Sequence, residues 1–165
     1  MPYNTAILII SDRAASGERE DLCIPTFTDV LQNTPFTITY TAVVSDTPSE
    51  IETALKSALA SSVKLILTSG GTGCAPRDNT PEVTMRIIER PTPGIDEALR
   101  RFSAGKAKFA MYSRGVSGIA GSTLIINLPG SPKAVRELVD FLLPTLEHPL
   151  KLLANQVNDC ADEVD

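Results

Sequence analysis

The chain has 165 residues, 42% hydrophobic and 21% charged, with a formal net charge of −5. This length suits one domain with a continuous core. The acidic balance argues against a general nucleic-acid binder, since no basic stripe offsets phosphate repulsion. An anionic ligand must find its positive field locally, at helix N-termini, a few Arg and Lys residues or a divalent cation. No apolar run approaches membrane-spanning length, and Met1-Pro2-Tyr3-Asn4 lacks a basic signal-peptide start. Cys23, Cys74 and Cys160 lie far apart and His148 is the only histidine. That spacing argues against a zinc site or a disulfide framework and suits a reducing cytoplasm.

Ala6 to Ile10 is a continuous apolar run, the pattern of a strand buried on both faces of a parallel sheet. It breaks at Ser11-Asp12-Arg13 and a polar loop follows. Ile24, Phe27, Val30 and Leu31 then recur at helical spacing. Residues 36–44 form a second strand rich in Thr, Ile, Tyr and Val, ending at Ser45-Asp46. Thr47, Pro48 and Glu50 predict a helix N-terminus with a capping box. Val63 to Leu67 is a third strand, and it runs into Thr68-Ser69-Gly70-Gly71-Thr72-Gly73.

Thr80 is the predicted cap of the next helix, with Pro81 at its first position. Arg90-Pro91-Thr92-Pro93-Gly94 is a hard break, and Ile95 to Phe102 reads as helix. Residues 103–114 fit helix or strand equally. Val116 to Ala120 and Thr123 to Leu128 predict a hairpin turning at Gly121-Ser122. Ser131 and Pro132 start a long helix that Pro144 bends or ends, followed by a short piece at Leu150 to Leu153. Residues 1–157 read as one domain and 158–165 as an acidic, mobile tail. Alternating strands and helices predict an α/β fold, a three-layer sandwich around a mostly parallel sheet.

In such sheets ligands sit beyond the carboxyl ends of the strands. Four polar motifs fall there: Ser11-Asp12-Arg13, Ser45-Asp46, Ser69 to Asp78 and Asn127 to Ser131. The Gly70 to Gly73 loop lacks the lysine of a P-loop and the glycine spacing of a dinucleotide fingerprint. A strand running through glycines into a capped helix still suits a phosphate, because N–H groups point outward and no Cβ intervenes. A tight βα turn is the competing reading. Asn127-Leu128-Pro129-Gly130-Ser131 follows the same logic, with a simple helix cap as its alternative. Asp46 and Asp78 are the candidate carboxylates, able to hold Mg²⁺ against substrate phosphates; surface turn aspartate is the plain alternative. Asp12 is a third candidate, with Arg13 as an electrostatic clamp. Arg77, Arg114 and Lys133 are candidate phosphate contacts.

In this order, these motifs, together with Pro76-Arg77-Asp78-Asn79-Thr80-Pro81-Glu82 and Pro93-Gly94, resemble the Mog/MoaB family of molybdenum-cofactor biosynthesis. The resemblance spans about Thr5 to Leu153 and extends to gephyrin-type G domains. It implies a three-layer α/β sandwich and adenylylation of molybdopterin by ATP and Mg²⁺, with release of pyrophosphate. It gives Asp46 and Asp78 the catalytic and metal-holding places. Ser11, Asp12, Arg13, Ser69, Gly70, Gly71, Thr72, Gly73, Asn127, Pro129, Gly130 and Ser131 take the substrate-binding places. It also implies a homotrimer or a hexamer of trimers and a separate molybdate-insertion partner. The rival within the family is a MoaB-type protein that binds the pterin without adenylylating it. One departure is Cys23, which stands where many relatives carry glycine.

Overall fold

A computed structural model describes residues 2–155, so the tail expected at 158–165 lies outside the described residues. Its centre is a six-stranded sheet in the order β2-β1-β3-β6-β5-β4. β1 (Tyr3–Ile10), β2 (Phe36–Val44), β3 (Leu65–Ser69) and β6 (Thr123–Leu128) run parallel. β5 (Ser117–Ala120) pairs antiparallel with β6 through the expected hairpin, whose Gly121 has φ +57°. β4 (Arg90–Pro91) pairs antiparallel with β5 at the sheet edge. The sequence marks that segment only as a break; proline is tolerated there because an edge strand leaves one side unpaired.

Alternation along the strands sends apolar side chains to both faces. Ile7, Ile9, Leu65, Leu67, Leu124 and Ile126 pack under α2 (Cys23–Val30), α5 (Pro93–Ala104) and α6 (Pro132–Leu153). Ala6, Leu8, Ile10, Ile66 and Ile125 pack under α3 (Pro48–Ala60) and α4 (Thr80–Ile87). These two clusters make the three-layer sandwich that the sequence predicts. Each fully buried Leu or Ile contributes roughly 1.5–3 kcal/mol relative to exposure. Among the described residues no helix is long and apolar enough to cross a membrane.

Several local expectations change. Asp12–Ala15 forms a short helix, α1, where the sequence predicts a loop; Ser11 Oγ caps it by accepting from Ala14 N–H at 3.3 Å. The capping box of α3 is displaced: Glu50 Oε2 accepts from the N–H and hydroxyl of Ser45, at 3.2 and 2.8 Å, rather than reaching Thr47. Asn79, not Thr80, precedes α4. The ambiguous stretch contains an exposed 3₁₀ turn, Ala110–Tyr112. Helix α6 continues through Pro144 and Pro149, because Leu142, Leu146 and Leu150 keep one buried face across both prolines.

Candidate active site

The parallel strands place all four polar motifs at one edge of the sheet, because β1, β2, β3 and β6 point their carboxyl ends the same way. Short bonds tie the two glycine-bearing loops together. Ser69 Oγ donates to Pro129 O at 3.0 Å, and Gly70 N–H donates to Leu128 O at 3.0 Å. Gly70 has φ +108°, and a Cβ there would lie 2.1 Å from Ile10 O. Only glycine meets both demands. Thr80 then acts as a staple: its buried hydroxyl donates to Gly70 O at 2.9 Å and its N–H to Gly71 O at 3.2 Å. The residue that reads as a helix cap in the sequence instead fixes the turn of the glycine loop.

The two candidate carboxylates face that loop. A Cβ built on Gly71 lies 3.2 Å from Asp46 Oδ1, and one built on Gly73 lies 2.8 Å from Asp78 Oδ2. Asp78 Oδ2 accepts from Ala75 N–H at 2.8 Å, which folds its own loop around it. Asp46 Oδ2 accepts from Asp12 N–H at 2.8 Å, and Asp12 Oδ1 accepts from Asp46 N–H at 3.0 Å. Burial pushes the Asp46 carboxyl above the usual range; the charges of Asp12 and Asp78 add to this, and the Asp12 N–H opposes it. Asp12 moves the other way, held low by its hydrogen bonds from Arg77 and from the Asp46 backbone. Its partner is therefore Arg77; Arg13, the clamp expected from sequence, is exposed.

A cleft of about 1030 Å³ opens above the glycine loop. Of the predicted residues, Ser11, Asp46, Ser69, Gly70, Gly71, Thr72, Gly73, Asp78, Asn127, Pro129 and Gly130 line it. Asp12, Arg13 and Ser131 stand outside the lining. Ser131 caps α6, its hydroxyl accepting from Ala134 N–H at 3.5 Å. The buried amide of Asn127 donates to Thr68 and Thr84 hydroxyls, both at 3.0 Å, and accepts from Val116 N–H at 3.3 Å. That side chain fixes β6 against its neighbours. Arg114 is spent on structure as well: it donates to Gly73 O at 2.7 Å and Asp78 O at 2.6 Å, and pairs with Glu82.

Sequence reasoning misses the far wall of the cleft. Asp96, Leu99, Arg100 and Ser103 of α5 line it, with Lys106, Lys108, Phe109 and Tyr112 at its mouth. The only sequence signal is the amphipathic spacing of α5, which by itself reads as core. Cys23 also lines the cleft, with Sγ 3.6 Å from Gly130 O, and burial pushes its thiol up. Its place at the start of α2, against the second loop, gives it a packing role.

Residues 6–148 match the family described as "Probable molybdopterin binding domain". The chain is 36% identical over 147 residues to a molybdenum cofactor biosynthesis bifunctional protein of Synechococcus elongatus, covering 89% of this chain and 46% of that protein. The chain thus spans about half the length of that relative. It is 36% identical over 160 residues to the molybdopterin adenylyltransferase of Helicobacter pylori strain J99, covering 93% and 90% of the two chains. Among solved structures, the molybdopterin biosynthesis enzyme MoaB of Thermus thermophilus superposes with a TM-score of 0.87 at 42% identity, covering 93% of this chain and 97% of that one. On the extent of these matches, and with its motifs gathered at one sheet edge, the chain belongs to the molybdopterin-binding domain family.

Proposed function

We propose that the protein is a molybdopterin adenylyltransferase of molybdenum-cofactor biosynthesis. It transfers AMP from ATP to the terminal phosphate of molybdopterin. An oxygen of that phosphate attacks the α-phosphorus of ATP, the Pα–O–Pβ bond breaks, and pyrophosphate leaves. The observation that carries this reading is the placement of Asp46 and Asp78 against the Gly70–Gly73 loop at one cleft. The phosphate nucleophile is already ionised, so the reaction needs no general base.

Two anions approaching at 4 Å repel by about 4 kcal/mol at an effective dielectric of 20. Loop N–H groups counter part of this. The donor set also suits a hard divalent ion. Among the described residues no group of three or more Asp, Glu, His or Cys side chains is placed to hold a metal alone. Mg²⁺ typically takes one or two carboxylates and completes its shell with substrate phosphates and water. Asp46 and Asp78 are the residues to hold it, and its contribution is charge neutralisation at the phosphates.

The wider reading is a cytoplasmic homotrimer, or a hexamer of trimers, that passes its product to a molybdate-insertion partner. The relatives support the pathway, and the free thiols of Cys23 and Cys74 suit a reducing compartment. The deciding experiment follows AMP transfer and pyrophosphate release with purified molybdopterin. Asp46→Asn and Asp78→Asn are each expected to lower kcat by about 10²-fold or more. Undiminished turnover in both removes the carboxylates from the mechanism. Tight pterin binding without turnover in the unaltered protein favours the MoaB-type binder instead.

A further inference from the structure

Arg77 and Asp12 line no part of the cleft, yet a chain of hydrogen bonds ties them to it. The Arg77 guanidinium grips both oxygens of Asp12, with Nε donating to Oδ2 at 2.5 Å and Nη2 to Oδ1 at 2.7 Å. Asp12 in turn exchanges two backbone-to-carboxylate bonds with Asp46, at 2.8 and 3.0 Å. Asn79 closes the circuit: its Nδ2 donates to Arg77 O at 2.9 Å and to Asp46 O at 3.3 Å. Arg77 and Asn79 flank Asp78 in the chain. The loops carrying Asp12, Asp46 and Asp78 are thereby joined in one ring.

We propose that Arg77 and Asp12 are positioning residues that hold Asp46 and Asp78 at a fixed separation across the glycine loop. The inference rests on reading those two aspartates as the metal-holding pair. The side chains of Arg77 and Asp12 are 61% and 40% exposed, so the pair adds little to stability. Its effect is orientation. Bonding Oδ2 of Asp46 to the Asp12 N–H fixes the plane of that carboxylate and leaves Oδ1 toward Gly71. Bidentate geometry needs the planar fork of arginine; lysine supplies the charge without the fork. The competing role is a direct clamp by Arg77 on a substrate phosphate, and the two roles separate cleanly by variant and readout.

The test uses the full chain with Arg77→Lys and Asp12→Asn, singly and together. Asp12→Asn keeps the size of the side chain but turns an NH₂ group toward Arg77. Three readouts are taken: Mn²⁺ affinity by electron paramagnetic resonance with a non-hydrolysable ATP analogue present, hydrogen exchange at the Asp12 and Asp46 amides, and AMP-transfer kinetics. The positioning role predicts Mn²⁺ affinity weakened about 10- to 100-fold in each single variant. It also predicts faster exchange at both amides and a lower kcat, with the KM for ATP at saturating Mg²⁺ within about twofold. The double variant falls no further than the worse single one, because the residues act as one unit. Arg77→Lys with unchanged Mn²⁺ affinity and unchanged amide exchange overturns the proposal. So does a raised KM for ATP with kcat unchanged, which makes Arg77 a substrate contact. If the unaltered protein transfers no AMP, the functional reading fails, while Mn²⁺ binding and amide exchange still decide the positioning role.

Discussion

At the scale of single residues, what the sequence shows and what it hides divide by distance along the chain. Gly70, Asp46 and Asp78 are visible because each carries its own local signal: a glycine after a buried strand, an aspartate at a strand end before a proline-started helix. The partner of Asp12 is not visible. Arg77 lies 65 positions away, and nothing in either neighbourhood selects it over the adjacent Arg13. Asp96 is hidden for a related reason, since only the packing of α5 turns it toward the cleft. Burial raises its carboxyl above the ordinary value of 3.8, against hydrogen bonds from Ser117 and the charge of Arg100 that lower it. A carboxyl with a raised folded-state value binds protons more tightly folded than unfolded. Its contribution to stability is therefore fully present below pH 3.8 and is lost as pH rises through the raised value. Asp96→Asn does not titrate, so its stability relative to the unaltered protein is expected to climb across that window. Urea denaturation of both proteins from pH 3 to pH 7, a range set to bracket an ordinary carboxyl, checks the sign. A falling difference contradicts the assignment to burial.

At the scale of elements, periodicity locates the strands and helices, and punctuation places their ends less well. Hydrophobic alternation cannot distinguish a proline that stops a helix from one that is carried through it. The difference lies in tertiary contacts: Leu146 and Leu150 are only 2% exposed, and burying them outweighs the missing backbone bond at Pro144. The same competition displaces the caps. Thr80 has a better partner in the buried Gly70 carbonyl than in its own helix, and Glu50 finds Ser45. Pro144 is exposed, so replacing it disturbs no packing. A proline inside a helix costs about 3 kcal/mol relative to alanine. Pro144→Ala is therefore expected to stabilise the protein by about 1–2 kcal/mol, a figure below the simple difference because the surrounding helix already accommodates the ring. The measure is a higher urea midpoint at unchanged slope. A lower midpoint means that the ring makes contacts that alanine loses.

At the scale of the whole molecule, the parallel sheet performs the assembly that no local motif can. Four loops from distant parts of the chain meet because their strands share a direction. The resulting cleft is nevertheless a poor host for a bare polyanion. Glu20, Asp21, Asp46, Asp78, Asp96 and Glu137 line it against Arg19, Arg100, Lys106 and Lys108, within a chain of net charge −5. Loop N–H groups supply partial charges only, so an anionic substrate needs a cation to bind well. ATP alone is thus expected to stabilise the protein little, whereas ATP with Mg²⁺ stabilises it strongly. At a free ligand concentration 100 times Kd the gain is about 2.7 kcal/mol. For a domain of this size that corresponds to a rise in Tm of roughly 5–10 °C. The Asp46→Asn, Asp78→Asn double variant separates the carboxylates from the rest of the cleft. Removing both charges relieves repulsion and removes the proposed metal ligands together. In that variant ATP is expected to raise Tm by similar amounts with and without Mg²⁺. Thermal denaturation of the two proteins under the four conditions reads this directly. If ATP stabilises the unaltered protein equally without Mg²⁺, the cleft neutralises the phosphates by its own dipoles and cations, and the aspartates need another role.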